Sequence, residues 1–469
     1  MSRPRVAIVG SGLTALLAAQ QLVDDAQVLL VSPSSTERTD PLVVDGPLGL
    51  LAPIEDDALR IAAERCAALG LPGTPGWWQP DGPFRVWSDG RLRTVPPGLG
   101  THVPVPLPVV AATRVLSLAG LATLAAAPLR PQRHVAGDRS VASLVDAMLG
   151  VEVRDRLVAP WVLAASGGEA GELSAACELP DLWAARARGA VGSRGGPLRD
   201  GPGRRGVLMM PGGWRPVLEA LRGSLAACHR EEPVDAIAAD THGPVLCSAG
   251  REEPVDAVVV TVPAAAAVRL LKDAFPGVAR ELLGISHRPV VEVLLDHEAG
   301  AVPSPVASGV LLVPARAGRR IAWVDRWPGD GVPVPPGTVR SRVLLAPPAA
   351  QALDRGDEPA DVLLRHVDAE LRRALGIRRP AVHTVSSSWS VPQRTVGHTA
   401  RLDRLVHQLD QVPPGLHLGG PALRGVGPAA RLHDAGRLAH DVRWQLSTLP
   451  RRPPVDHRPG SGPVARGSG

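Results

Sequence analysis

Between Val6 and Ser35 the hydrophobic pattern changes period three times. Val6–Val9 is an unbroken apolar run of strand length, Leu13–Val23 repeats apolar residues at helical spacing, and Val28–Val31 is a second buried run. Gly10-Ser11-Gly12-Leu13-Thr14-Ala15 joins the first two as a G-x-G-x-x-A turn. Strand, glycine turn, helix, strand predicts the opening unit of a helix-covered parallel sheet.

Further along, Glu55–Leu69 has helical spacing and stops at Gly70, while FRVWSDGRLRTVP alternates around Asp89-Gly90 as a hairpin does. From Val109 to Ala187 the pattern is helical. Ser140 is placed to cap Val141–Met148, and the stretch from Val151 continues until Pro160 kinks or ends it. Residues 189–206 are rich in Gly and Arg and predict a surface loop; GVLMMPGGWRPVLEAL then predicts a strand, a double-glycine turn and a helix. Ala257–Val262 reads as a buried strand running into a helix. Val290–Leu295, Gly309–Val313, Arg319–Arg326 and Val339–Leu345 read as sheet, and Asp361–Leu375 as an amphipathic helix. LHLGG is a last buried strand, with a helix closing the segment after it, and 449–469 predicts a disordered tail. The fold class is therefore α/β. One nucleotide-binding domain is expected from 1–73, 206–273 and 396–448, with a mixed-sheet substrate domain from 74–104 and 274–395, and a helical subdomain at 105–205.

Composition narrows this modestly. Net charge is +5, with both signs interspersed, and nearly all the positive charge is arginine because Lys272 is the single lysine. With no tyrosine and two phenylalanines, stacking platforms are scarce, so no nucleic-acid partner is expected. Cys66, Cys177, Cys228 and Cys247 are scattered without metal-ligand spacing, which suits free thiols in a reducing cytosol and no bound metal. The first strand begins too early for a signal peptide to precede it, and Arg114 interrupts the most apolar later segment, Val109–Leu129. A cytoplasmic protein is expected, with that segment the place for any peripheral membrane contact.

Five blocks resemble the protoporphyrinogen and coproporphyrinogen oxidases, within the wider class of flavin amine oxidases and phytoene desaturases. They are residues 6–31, Ser143–Trp183, MMPGGWRPVLEAL, VDAVVVTVPAAAAVRLL, and the closing segment from WSVPQRTVGH through GLHLGGPALRGVGPAARLHDAGRLA. The resemblance implies an FAD-binding Rossmann-like domain. Gly10, Ser11, Gly12, Leu13, Thr14 and Ala15 would meet the pyrophosphate, Val234 the adenine through its main chain, and Gly420, Gly425, Val426 and Gly427 the flavin end. It further implies a small-molecule substrate, a reduced tetrapyrrole, whose hydride passes to flavin N5 with oxygen as the final acceptor.

Three positions depart from that family. Ser32 stands where an acid would hold the adenosine ribose, a charged hydrogen bond contributing roughly 1.5–3 kcal/mol. The stretch after Ser32 lacks the usual diglycine and basic residue, leaving only Arg38, and Pro421 replaces an acid near the ribityl chain. Arg85, Arg93, Arg326 and Arg394 are candidate forks for substrate carboxylates; His287, His383 and His398 are ambiguous, and no catalytic residue is assigned. Three readings stand: a porphyrinogen-oxidising flavoenzyme, a relative that has lost FAD and acts as a binding protein, and a desaturase- or amine-oxidase-like enzyme with another substrate. The sequence leaves the oligomeric state open.

Overall fold

The computed structural model describes residues 3–32, 52–53, 56–78, 84–88, 90–95, 107–129, 137–187, 205–210, 213–303, 310–313, 319–325 and 334–448. Its centre is a five-stranded parallel sheet, ordered Leu416–Leu418, Ala257–Val260, Arg5–Val9, Gln27–Ser32, His229–Glu231. These strands come from three separated stretches of chain. Their apolar runs are unbroken because helices cover both faces. Leu13–Leu22, Trp214–Ser224 and the closing helix Pro428–Thr448 pack on one face; Ala264–Leu271, Pro276–Leu283 and His398–Leu409 pack on the other. Val6, Ala7, Ile8, Ala257, Val258 and Val259 are fully buried as a result.

A seven-stranded sheet follows the order His383–Pro392, His287–Glu298, Thr338–Leu345, Ile321–Asp325, Val310–Leu312, Phe84–Ser88, Arg91–Val95. One face carries Ala360–Leu375 and the other carries the helical block. The fold is thus α/β, a Rossmann-like domain built from discontinuous segments, with a mixed sheet and a helical subdomain inserted.

Several local expectations change. The long strand His383–Pro392 is absent from the hydrophobic pattern because its edge position leaves half of HTVSSSWSVP exposed, yet it pairs along ten residues of its neighbour. Val109–Leu129 forms two short helices, Leu107–Thr113 and Leu118–Ala125. Arg114 breaks them apart at φ 54°, and Ser117 caps the second by accepting from the Gly120 amide at 3.1 Å. Pro160 does not end the helical stretch. A wide π-type turn at Arg154–Val158 passes the chain into Ala159–Ser166, so the proline lies in a first helical turn, where its missing N–H is harmless. Ser140 caps its helix as expected, through the Ser143 amide at 3.2 Å. Asp89, Pro211-Gly212, residues 189–204 and the tail 449–469 lie outside the described residues. Among the described residues no helix is long and apolar enough to cross a membrane.

Candidate functional site

The glycine turn is held from two sides. The Gly10 amide donates to the Val31 carbonyl at 2.9 Å, which ties the turn to the end of the second strand. Gly10 has φ +138°, and a Cβ there would lie 2.4 Å from Thr261 Oγ1, the hydroxyl that donates to the Val9 carbonyl at 3.2 Å. Only glycine suits this packing. Gly12 starts the first helix with extended geometry and no side-chain cap, so the first helical amides are left for a ligand. Leu13 and Ala15 are fully buried beneath them, and Ser11 is exposed at the rim. The buried Thr14 hydroxyl has no hydrogen-bond partner.

Across the cleft, the last strand leads into Gly420, at φ 95°, where a Cβ would lie 2.9 Å from the Thr261 carbonyl oxygen. The Gly420 amide donates to Asp434 Oδ2 at 2.7 Å, and Asp434 also accepts from Arg437 at 2.7 Å. Pro421 opens the short helix Pro421–Arg424, a position that requires no N–H; the acid missing there is not replaced by Asp434, which faces inward. Gly425, Val426 and Gly427 then feed the closing helix. Arg431, 2% exposed, donates from Nε to the Val426 carbonyl at 3.1 Å.

Between the two loops lies an open cavity of about 220 Å³. Gly10, Ser11 and Gly12 line one end, with Pro421, Val426 and Arg431 further in; the opposite wall is His287 with Ser390, Val391 and Pro392. Two helix N-termini, Leu13 and Pro428, therefore border one cavity, and Arg431 and Arg269 add positive charge to its wall. Such a cradle suits an anionic group, because Gly10, Ser11 and Gly12 open onto the cavity beside the uncapped helix start. Beyond Val391 and Val426 is an apolar cluster containing Trp389, Trp161, Trp323 and Phe84. Phe84 and Trp161 lie 5.3 Å apart between centroids, and Trp161 meets Trp323 edge-on at 5.7 Å.

The remaining expected residues divide. Ser32 is buried at the end of the second strand, its Oγ 2.8 Å from His229 Nε2. Val234 begins the strand Val234–Asp240, half-buried against the core that contains Val31. Arg394 makes a two-pronged bond to buried Glu178, at 3.0 and 3.1 Å, so its fork serves the fold. Arg85 pairs with Leu311 on the sheet face away from the tryptophan cluster, whereas Arg93 pairs with Val86 on the cluster's own face. Arg38 and Arg326 lie outside the described residues.

Among the histidines, His287 lines the cavity. Burial lowers its pKa, although its Nδ1 lies 3.3 Å from the Ile285 carbonyl. His383 contacts Asp296 at 3.3 Å instead. His398 is buried away from the cavity wall, and burial, with Arg394 and Arg401 adding to it, brings its pKa to about 4. Thr261, Arg269, Arg431 and Asp434 escaped the sequence reading. Thr261 and Arg431 carried a faint signal, one ending a buried strand and the other lying one turn into the closing helix.

Comparison with known proteins agrees with this geometry. The model of the flavin containing amine oxidoreductase family matches residues 55–437. Coproporphyrinogen III oxidase of Propionibacterium freudenreichii subsp. freudenreichii is 26% identical over 505 residues, spanning 94% of this chain and 91% of that protein. A candidate protoporphyrinogen oxidase from Exiguobacterium sp. 255-15 shares the fold with a TM-score of 0.74 at 21% identity, covering 96% of this chain and 100% of that one. Cyclohexylamine oxidase from Brevibacterium oxydans IH-35A does so at 0.62 and 17%, covering 94% and 100%. Since the family match takes in most of the chain, with strands of both large sheets and the closing loop that borders the cavity, the chain belongs to the flavin-containing amine oxidoreductases.

Proposed function

We propose that the chain binds FAD in the cavity between the glycine turn and the closing loop, and oxidises a flat reduced tetrapyrrole of the porphyrinogen type. The observation that carries this reading is the open cavity bordered by two helix N-termini, ending at the tryptophan cluster. In it, the uncapped amides at the start of Leu13–Leu22 would hold the pyrophosphate without any acidic or basic side chain. Val426 and Arg431, which line the cavity beside the start of the closing helix, would lie at the flavin end and offset negative charge there. Trp389, Val391 and their neighbours keep water from the inner end. Bound FAD supplies the hydride-accepting chemistry. The choice of a porphyrinogen is supported by the coproporphyrinogen III oxidase relative and by the Ser143–Trp183 block.

The test is spectroscopic. Purified protein should show flavin bands near about 375 and 450 nm, a property of the cofactor, and coproporphyrinogen or protoporphyrinogen should bleach them anaerobically. Bleaching by amines or carotenoids, with none by either porphyrinogen, would assign another substrate. Colourless protein that added FAD does not stabilise would favour a binding protein that has lost the cofactor, the reading that Ser32 and Pro421 motivate.

A further inference from the structure

We infer that the acid missing at the end of the second strand has moved one strand outward, and that Glu231 accepts the hydroxyls of the adenosine ribose. The inference rests on the FAD reading above and adds a residue to that site. In the central sheet the edge strand His229–Glu231 runs parallel to Gln27–Ser32, with Leu30 opposite His229 and Ser32 opposite Glu231. Register partners in neighbouring strands lie roughly 4.8 Å apart and point to the same face. His229 shows that side chains of this face reach across, because its Nε2 lies 2.8 Å from Ser32 Oγ. Glu231, two residues on, therefore stands beside Ser32 at the carboxyl end of the sheet, where parallel α/β sheets bind their ligands. The Gly10–Val31 bond of 2.9 Å keeps the pyrophosphate cradle next to this spot, and the chain passes from Glu231 to Val234 within three residues.

Charge singles out the same residue. Glu232 is paired with Arg251, and Glu253 with Arg230 and, at 2.8 Å, Arg5. Glu231 is exposed and has no ion pair or hydrogen bond among the described residues. A longer acid at position 32 would be pressed onto His229, in a site only 2% exposed. A glutamate in the adjacent strand avoids that enclosure and still presents a carboxylate to two hydroxyl donors.

Titration of the flavin-stripped full-length protein with FAD, ADP and FMN, followed by fluorescence and thermal shift, tests this. Glu231→Gln should weaken FAD and ADP by about ten- to a hundredfold while leaving FMN and the melting point of the ligand-free protein unchanged. Glu231→Asp should restore most of the affinity, and Ser32→Ala should change it by less than about threefold. Wild-type protein that binds FAD, with Glu231→Gln binding it equally well, would overturn the inference alone. A large loss in Ser32→Ala without one in Glu231→Gln would return the role to Ser32 and also overturn it. Wild-type protein that binds no FAD would remove the cofactor reading and the inference together.

Discussion

Replacing Arg394 by methionine should cost stability in a pH-dependent way. The Glu178 side chain is 4% exposed and the Arg394 side chain 41%. Burial raises the Glu178 pKa above the ordinary carboxyl value, and the guanidinium partly opposes that rise. Breaking a fully buried pair costs about 3–5 kcal/mol, because a charge is left without a partner. Solvent reaches this arginine, so the lower figure of about 2–3 kcal/mol is expected at pH 8. Without Arg394 the carboxyl takes up a proton more readily in the folded protein than in the unfolded chain. Folded protein then binds the extra proton as pH falls toward about 4.5, and stability is regained. Urea unfolding at pH 8 and pH 5 should show a midpoint shift, with unchanged slope, that is clearly smaller at pH 5. Adding Glu178→Gln should recover most of the loss at pH 8. An equal loss at both pH values, or a double variant as weak as the single one, would refute the reasoning. If Arg394 anchored substrate instead, KM would rise with little change in stability.

Other outcomes follow from the same geometry. Gly420→Ala places a Cβ 2.9 Å from a backbone carbonyl at φ 95° and should lower stability by about 2–4 kcal/mol and empty the proposed FAD site, as melting and flavin content would show. Gly425→Ala, at φ 111° and 3.4 Å from the Ala430 methyl, an ordinary contact distance, should cost about 1–3 kcal/mol in the same assays, mainly from the backbone conformation. His398, with a folded pKa of about 4, must stay neutral, so stability falls as pH drops from about 6.5 to 4; His398→Gln should remove about 2–3 kcal/mol of that dependence in urea titrations. Burial pushes the Asp368 carboxyl up, but His297, Arg372 and the Ala381 amide outweigh it and hold the pKa down. This contribution is present above about pH 4 and lost below it, and Asp368→Asn should abolish that acid sensitivity. Arg431→Gln should make the bound flavin's reduction potential more negative by about 30 mV or more, roughly 1.4 kcal/mol for a two-electron couple, in a dye-coupled redox titration.

How far the site could be read from sequence depends on distance along the chain. The glycine turn was legible because Val6–Val9, Gly10–Ala15 and the following helix are contiguous, and period and turn chemistry are local properties. The same applies to Ser140 as a cap and to Ser32 as a departure. The departure's consequence was not legible, because His229 lies 197 residues away and meets Ser32 only through the sheet order. Arg394 looked free in the sequence because Glu178 is 216 residues away.

By itself, the amino-acid order determined the strands and helices whose own faces are apolar, the α/β class, and the likeness to flavin oxidoreductases. A helix or buried strand announces itself through which of its own faces are apolar. Tertiary structure alone decided that Thr261 forces glycine at Gly10 and Gly420, that Asp434 holds the closing turn, and that Glu231 stands beside Ser32. It also turned the polar stretch His383–Pro392 into a sheet edge bordering the cavity. Each of these is a contact between distant segments, set by how strands are ordered and helices laid over them, and hydrophobic periodicity carries no record of such neighbours.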